Sequence, residues 1–233
     1  MKKLVGLALL SGCIMWIPLR SQTHTPVKYE PVYQIPLVHK PYQPSDEVRE
    51  LHIYTSWALG EFTTEDGERI TNFELRYELL NEWLEIKVDG EIKLLPLEEL
   101  REFTWVTPAS QMLEHYIAQT TYRYKGLPVE GIYKVLYEGK VKLLEKIEAK
   151  LIKPNYIPQL DAGNREYTYE RSRTMYLERK GELKLFPKRK KDILRLFTPY
   201  YDEMKQFIKK EKLNVRDRKN LIQIVMHYDD LIK

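Results

Sequence analysis

The run Lys188-Arg189-Lys190-Lys191 is the densest patch of one chemistry in this 233-residue chain. Four adjacent cations suit a polyanion, such as lipid headgroups or an acidic glycan, and these four are the candidate binding residues. Two plainer readings stand beside that one. The run could be the solvated face of the helix whose apolar positions follow it, or an internal counter-charge to an acidic region. Basic residues near a helix start oppose its dipole, so helix propensity does not account for them. The single cysteine is the other conspicuous group. In "LLSGCIMWIPLR", Leu10-Ser11-Gly12-Cys13 spells a bacterial lipoprotein box, which makes Cys13 a candidate lipidation site.

Other side chains with chemical potential lack partners at useful spacing. Histidines stand at 24, 39, 52, 115 and 227, with no pair three to five apart. No metal ligands are assigned on that spacing. Glu114 and His115 are neighbours, but adjacent residues on a strand point to opposite faces. There is no G-x-S-x-G elbow beside Ser45, Ser56, Ser110 or Ser172, and each glycine in the hairpin region stands singly in a turn. With 34 acidic residues some pair of carboxylates must meet, so a pair means nothing by itself. No catalytic residue and no cofactor is therefore assigned. Tyr116, Tyr122 and Tyr124, with Tyr167 and Tyr169, could form a sugar-stacking surface; the preferred reading buries their rings and leaves the hydroxyls wet.

The first 21 residues read as an export signal. Lys2 and Lys3 precede an apolar run from Leu4 to Ile17, Pro18 ends it, and Ser21 offers a small residue for cleavage before Gln22. Fourteen residues are short for a bilayer span, and no second long apolar run follows, so no transmembrane span is expected in the mature chain. Residues Ile14 to Ile17 stay apolar after Cys13, where an anchored chain should turn polar. Removal of Cys13 with the signal is accordingly preferred over lipidation. The expected location is the periplasm or the outer surface, which disfavours nucleic acid as a partner. Charge is unevenly spread: residues 22–170 hold 17 Lys/Arg against 25 Asp/Glu, and residues 171–219 hold 17 against 7. Such asymmetry points to contacts within the molecule or with an acidic surface.

These groups need elements to hold them. Residues 22–50 read as an extended arm or linker, because Pro26, Pro31, Pro36 and Pro41 recur every five residues. From residue 51 the chain becomes a series of hairpins. "TEDGER", "KVDGEI", "YEGKV" and "RKGEL" place Gly67, Gly90, Gly139 and Gly181 where tight turns need positive φ. Alternation sets Phe73, Leu75 and Tyr77 on one face, and likewise Leu84, Ile86 and Val88; Tyr116 through Tyr124 continues the pattern. The period then changes. Ile193, Leu194 and Phe197 fall at helical spacing, Thr198-Pro199 predicts the start of a second helix, and Asn214 with Asp217 resembles a capping box for a third. Met204, Phe207 and Ile208, then Leu221, Val225, Tyr228 and Ile232, mark the buried stripes. The predicted fold is α+β: a mostly antiparallel sheet, possibly closing like a barrel, over residues 51–186, and a short helical segment over 187–233 packed on it.

Four stretches together resemble a family of secreted proteins of unknown function from Bacteroidota-type bacteria. They are "EDGERITNFELRYELLNEWLEIK", "LPVEGIYKVLYEGKVKLLEK", "YLERKGELKLFPKRKKDILRLF" and "FIKKEKLNVRDRKNLIQIVMHYDDL". Such proteins close with a Lys-rich helix and a final "KL…DL…YY" helix. Lys212-Leu213 and Tyr228 fit that pattern, and Asp229 stands where a second tyrosine is usual. The resemblance implies an envelope location and a single α+β unit, and it carries no catalytic residues. The expected function is a non-catalytic interaction or structural module whose partner is an envelope protein or an acidic glycan or lipid surface. A polyanion- or glycan-binding module using 188–191 is the alternative, and a hydrolase without a recognisable motif is the third reading.

Overall fold

Twelve strands hydrogen-bond into one sheet in the computed structural model, which describes residues 51–165, 168–187 and 189–232. The expected signal with Cys13, and the arm with His24 and His39, lie outside the described residues. The first half comprises β1 Ala58–Thr64, β2 Arg69–Glu78, β3 Trp83–Val88, β4 Glu91–Pro96, β5 Leu100–Val106 and β6 Leu113–Gln119. The second comprises β7 Arg123–Tyr124, β8 Leu127–Pro128, β9 Gly131–Glu138, β10 Lys142–Ile152, β11 Thr168–Arg179 and β12 Glu182–Leu185. Their spatial order is β4-β3-β2-β1-β5-β6-β9-β10-β11-β12-β7-β8. Every neighbouring pair is antiparallel except β12 with β7. The sheet is open, ending at β4 and β8, so the barrel-like closure entertained from the sequence does not form. Three short helices follow: α1 Lys190–Leu196, α2 Tyr201–Lys210 and α3 Arg218–Leu231. The architecture is α+β.

Local turn chemistry explains most of the hairpins. Asp89 and Gly90 have φ of 52° and 85°, and Lys180 and Gly181 have 54° and 82°. Two consecutive left-handed residues make the turn whose twist matches the flanking strands. Gly67, at φ 93°, serves the β1–β2 turn. Gly139 departs from expectation, because its φ is not positive. It is needed for close approach instead: a Cβ there would sit 2.6 Å from Asp229 Oδ2 on α3.

Three further expectations are corrected. The alternation through Tyr124 does not continue one strand: β6 stops at Gln119, and Arg123–Tyr124 crosses to pair with β12. Thr198-Pro199 does not open α2, because the Thr198 hydroxyl donates to the Arg195 carbonyl at 3.0 Å and so closes the turn behind it. The α2 N-cap is Tyr200. For α3 the cap is Asp217, whose carboxylate accepts from the Asn220 amide at 2.9 Å, while Asn214 accepts from the Arg216 amide in the preceding turn.

The helices cover one face of the sheet. Leu143 of β10 and Leu177 of β11, with Val141 just before β10 and Phe186 just after β12, meet Ile193 and Leu194 of α1 and its C-cap Phe197, Met204 and Ile208 of α2, and Leu221, Val225 and Tyr228 of α3 with its C-cap Ile232. Burying each such side chain stabilises by about 1.5–3 kcal/mol, so the predicted stripes hold the helices down. A second cluster joins Ile117, Tyr122, Tyr133, Leu144, Tyr176 and Leu183. In the first half of the sheet Tyr77 stacks on Phe103, and Phe103 on Tyr116 at 4.8 Å, with Trp105 tilted against the last two. There the alternation hides a second covered face. Arg76, Glu78 and Glu85 occupy the polar positions of β2 and β3 yet are buried. The segment before β1 covers them: Ile53 donates to the Tyr77 carbonyl, and the Trp57 ring lies 4.5 Å beneath the Arg76 guanidinium.

Candidate functional site

The basic run is split by the fold. Lys188 is outside the described residues, Arg189 is exposed immediately before α1, and Lys190 opens that helix. Lys191 is exposed and leans over the seam between α1 and α2, where Lys205 and Lys209 join it around Leu194, Tyr201 and Ile208. Among the tyrosines, Tyr116 and Tyr122 are buried, Tyr124 is half-buried and Tyr169 is exposed, while Tyr167 is outside the described residues. They do not share one surface. Glu114 and His115 do face apart: His115 meets Glu102 at 3.0 Å, and Glu114 turns inward. His52 is buried against Glu85 at 3.1 Å, and His227 stacks on Phe207. Among the described residues no three His, Cys, Asp or Glu side chains gather as metal ligands would.

Two carboxylates, the buried Glu85 and the half-buried Glu114, organise polar clusters that periodicity did not reveal. Glu85 accepts from Arg76 Nε at 2.6 Å as well as facing His52. Glu114 is the acceptor for the Tyr54 hydroxyl at 3.0 Å, the Tyr116 hydroxyl at 2.8 Å, the Trp105 indole at 3.3 Å and the Lys134 ammonium. Burial pushes the Glu114 carboxyl up, but the hydrogen bonds from Lys134 and Tyr116, the Lys134 charge and the Trp105 bond outweigh it and hold the group below its ordinary value. Burial, then the charge and hydrogen bond of Glu114, lift the Tyr54 phenol to about 12, so it remains a donor at any physiological pH. These groups satisfy one another and are enclosed, which makes them structural. They form part of a polar row across the sheet. Lys134 faces Glu145 in the β9–β10 register, and Glu145 binds Arg218 of α3.

That row opens into a cleft of about 1150 Å³ beside β11. The register explains its position. β11 pairs with β10 from Thr168 to Glu178, but β12 is four residues long and reaches only as far as Tyr176. From Thr168 to Thr174, β11 therefore pairs on one side alone among the described strands. Phe186 closes the paired stretch by donating to the Met175 carbonyl at 2.8 Å. Tyr176, Phe186, Ile193, Val215 and Leu221 line an apolar wall. Arg173 on β11, with Arg216 and Arg218 at the start of α3, supplies the charge. Arg218 is held by Glu145, whereas Arg173 and Arg216 make no ion pair among the described residues. Ser172 and Thr174 are the hydroxyls at the edge, and no described residue lining the cleft is a His, Asp, Glu or Cys. Sequence reasoning missed the cleft because its parts come from β7, β11, β12, α1 and α3. The one signal was the excess of Lys and Arg in residues 171–219.

The comparisons add no second line of argument: no protein-family model, curated protein or solved structure matches the chain.

Proposed function

We propose that this is an exported, non-catalytic binding module of the cell envelope that accepts an extended acidic peptide segment along the open edge of β11. The observation that carries the reading is a strand edge with no neighbour among the described strands, beside an apolar wall and two arginines, Arg173 and Arg216, that make no ion pair among the described residues. Main-chain N–H and C=O groups on such an edge supply affinity for an added strand, and side-chain pockets at alternate positions supply selectivity. Seven residues of edge span roughly 23 Å, enough for a strand of ordinary length. Guanidinium groups favour carboxylates through paired, charge-assisted hydrogen bonds. The same charges argue against a second copy of this chain as occupant. Two β11 edges laid side by side would bring Arg173 against its own kind. Export is supported by the sequence of the first 21 residues, and the binding role by the absence of a base among the described cleft residues.

A random-octapeptide display library, panned on the full chain, tests this. The expected result is enrichment of strand-forming sequences carrying Asp or Glu, and loss of that enrichment in Arg173→Glu/Arg216→Glu. Selected peptides should weaken at least tenfold when a central residue is replaced by Pro, because proline removes a ladder donor. Enrichment of basic or Pro-rich peptides, or indifference to both changes, would overturn the proposal.

A further inference from the structure

The groove between α1 and α2 is separate from the cleft and has its own chemistry. It measures about 410 Å³, its floor is Leu194, Tyr201 and Ile208, and its rim is Lys191, Lys205 and Lys209. All three lysines are exposed, and none makes an ion pair among the described residues. Neighbouring charges are otherwise occupied: Asp192 binds Arg195, and Lys210 binds Glu211. Lys205 and Lys209 are four residues apart and so share one face of α2, and Lys191 reaches that face from α1. Like charges on one rim repel, so their convergence is unfavourable until an anion sits between them.

We infer that this groove docks the phosphate headgroup of an anionic phospholipid at a membrane surface. An ammonium is a compact point charge suited to phosphate, and the apolar floor matches the glyceryl and upper acyl carbons just below a headgroup. The charge distribution orients the approach. Residues 190–219, which hold α1, α2 and the start of α3, carry 10 Lys/Arg against 5 Asp/Glu, while residues 51–170, which hold most of the sheet, carry 14 against 21, so the helical face turns toward an anionic surface and the sheet turns away. No helix among the described residues is long and apolar enough to cross a membrane, so the contact is one of surface docking in this region. This inference does not depend on the peptide cleft: the two sites share no lining residue.

Co-sedimentation of the full chain with vesicles tests it, using phosphatidylcholine alone and phosphatidylcholine with about one-third phosphatidylglycerol. Binding is expected only to the anionic vesicles, and is expected to weaken as salt rises. Lys191→Glu/Lys205→Glu/Lys209→Glu should lose roughly a hundredfold in apparent affinity, from the attraction each lysine contributes near an anionic surface. The control Lys150→Glu/Lys153→Glu/Lys184→Glu changes net charge equally at exposed positions away from the groove, and it should stay within about threefold of the parent if the site is specific. All six positions are exposed, and matching thermal melts confirm that the variants fold. Equal losses in both triple variants would overturn the inference, as would binding to neutral vesicles. Displacement from vesicles by millimolar inorganic phosphate, at constant ionic strength, would assign the groove to a free anion and also sink it.

Discussion

The contact between Gly139 and Asp229 offers a sharp test of the packing between α3 and the sheet. Asp229 is 8% exposed, and its Oδ1 accepts from the Val141 amide at 2.8 Å. Lys140 adds bonds to the carbonyls of Asp229 and Ile232, so the last turn of α3 is tied to the β9–β10 turn. A Cβ on residue 139 would lie 2.6 Å from Asp229 Oδ2 and 2.7 Å from the Tyr137 hydroxyl. Gly139→Ala should therefore destabilise by about 1–3 kcal/mol through overpacking, with no contribution from backbone strain. Asp229→Ala should lose about 2 kcal/mol, because the buried Val141 amide is left without an acceptor. In the double variant the carboxylate is gone and Tyr137 is released from it. Alanine at 139 then meets little resistance and reduces the entropy of the unfolded chain, worth about 0.4–1 kcal/mol in its favour. The double variant should match Asp229→Ala or slightly exceed it, a coupling of about 2 kcal/mol. Urea unfolding followed by tryptophan fluorescence measures each corner of the cycle. In a chain of this size each kcal/mol should also move Tm by about 2–4 °C. Additive losses, or a neutral Gly139→Ala, would refute the reasoning.

Two further outcomes concern half-buried carboxylates. Glu114→Ala should destabilise by about 3 kcal/mol, since Lys134 is left charged and largely enclosed while three other donors lose their acceptor; Glu114→Gln should cost less. The Glu114 carboxyl is held below its ordinary 4.5, so its contribution is complete above that pH and fades as pH falls through the folded value. The gap between parent and Glu114→Gln in urea titrations should shrink on acidification, and a constant gap from pH 7 to pH 3 would contradict this. Glu82 has the opposite sign. Burial, with Glu148, Glu130 and Glu98, raises its carboxyl despite Lys146. A raised carboxyl opposes folding once ionised, and that opposition disappears below its unfolded value. Glu82→Gln should therefore stabilise at neutral pH and do nothing at acid pH; stabilisation that grows on acidification would show the sign to be wrong.

Much of the fold was readable from local chemistry. Gly67, Gly90 and Gly181 mark turns because left-handed backbone is a property of one or two residues. The apolar stripes of α1, α2 and α3 appear because helical period repeats within a few residues. The α2 boundary was misread because Thr198 bonds backward to Arg195, a choice that propensity does not record. Gly139 was assigned the right turn for the wrong reason, since the atom that excludes a side chain belongs to Asp229, 90 positions later. The candidate sites were far less visible. Lys191 was recognised, but Lys205 and Lys209, which line the groove with it, belong to another helix. Glu114 looked like any strand carboxylate until Tyr54, Trp105, Tyr116 and Lys134 were seen around it. Turns, strands, helical stripes and the division of charge were thus determined by the sequence itself, because each depends on residues that are neighbours along the chain. The open edge of β11, the arginines beside it and the lysine groove were decided by the tertiary structure alone. Strand register and helix docking follow from the burial of apolar surface between distant segments, and that free energy has no local signature.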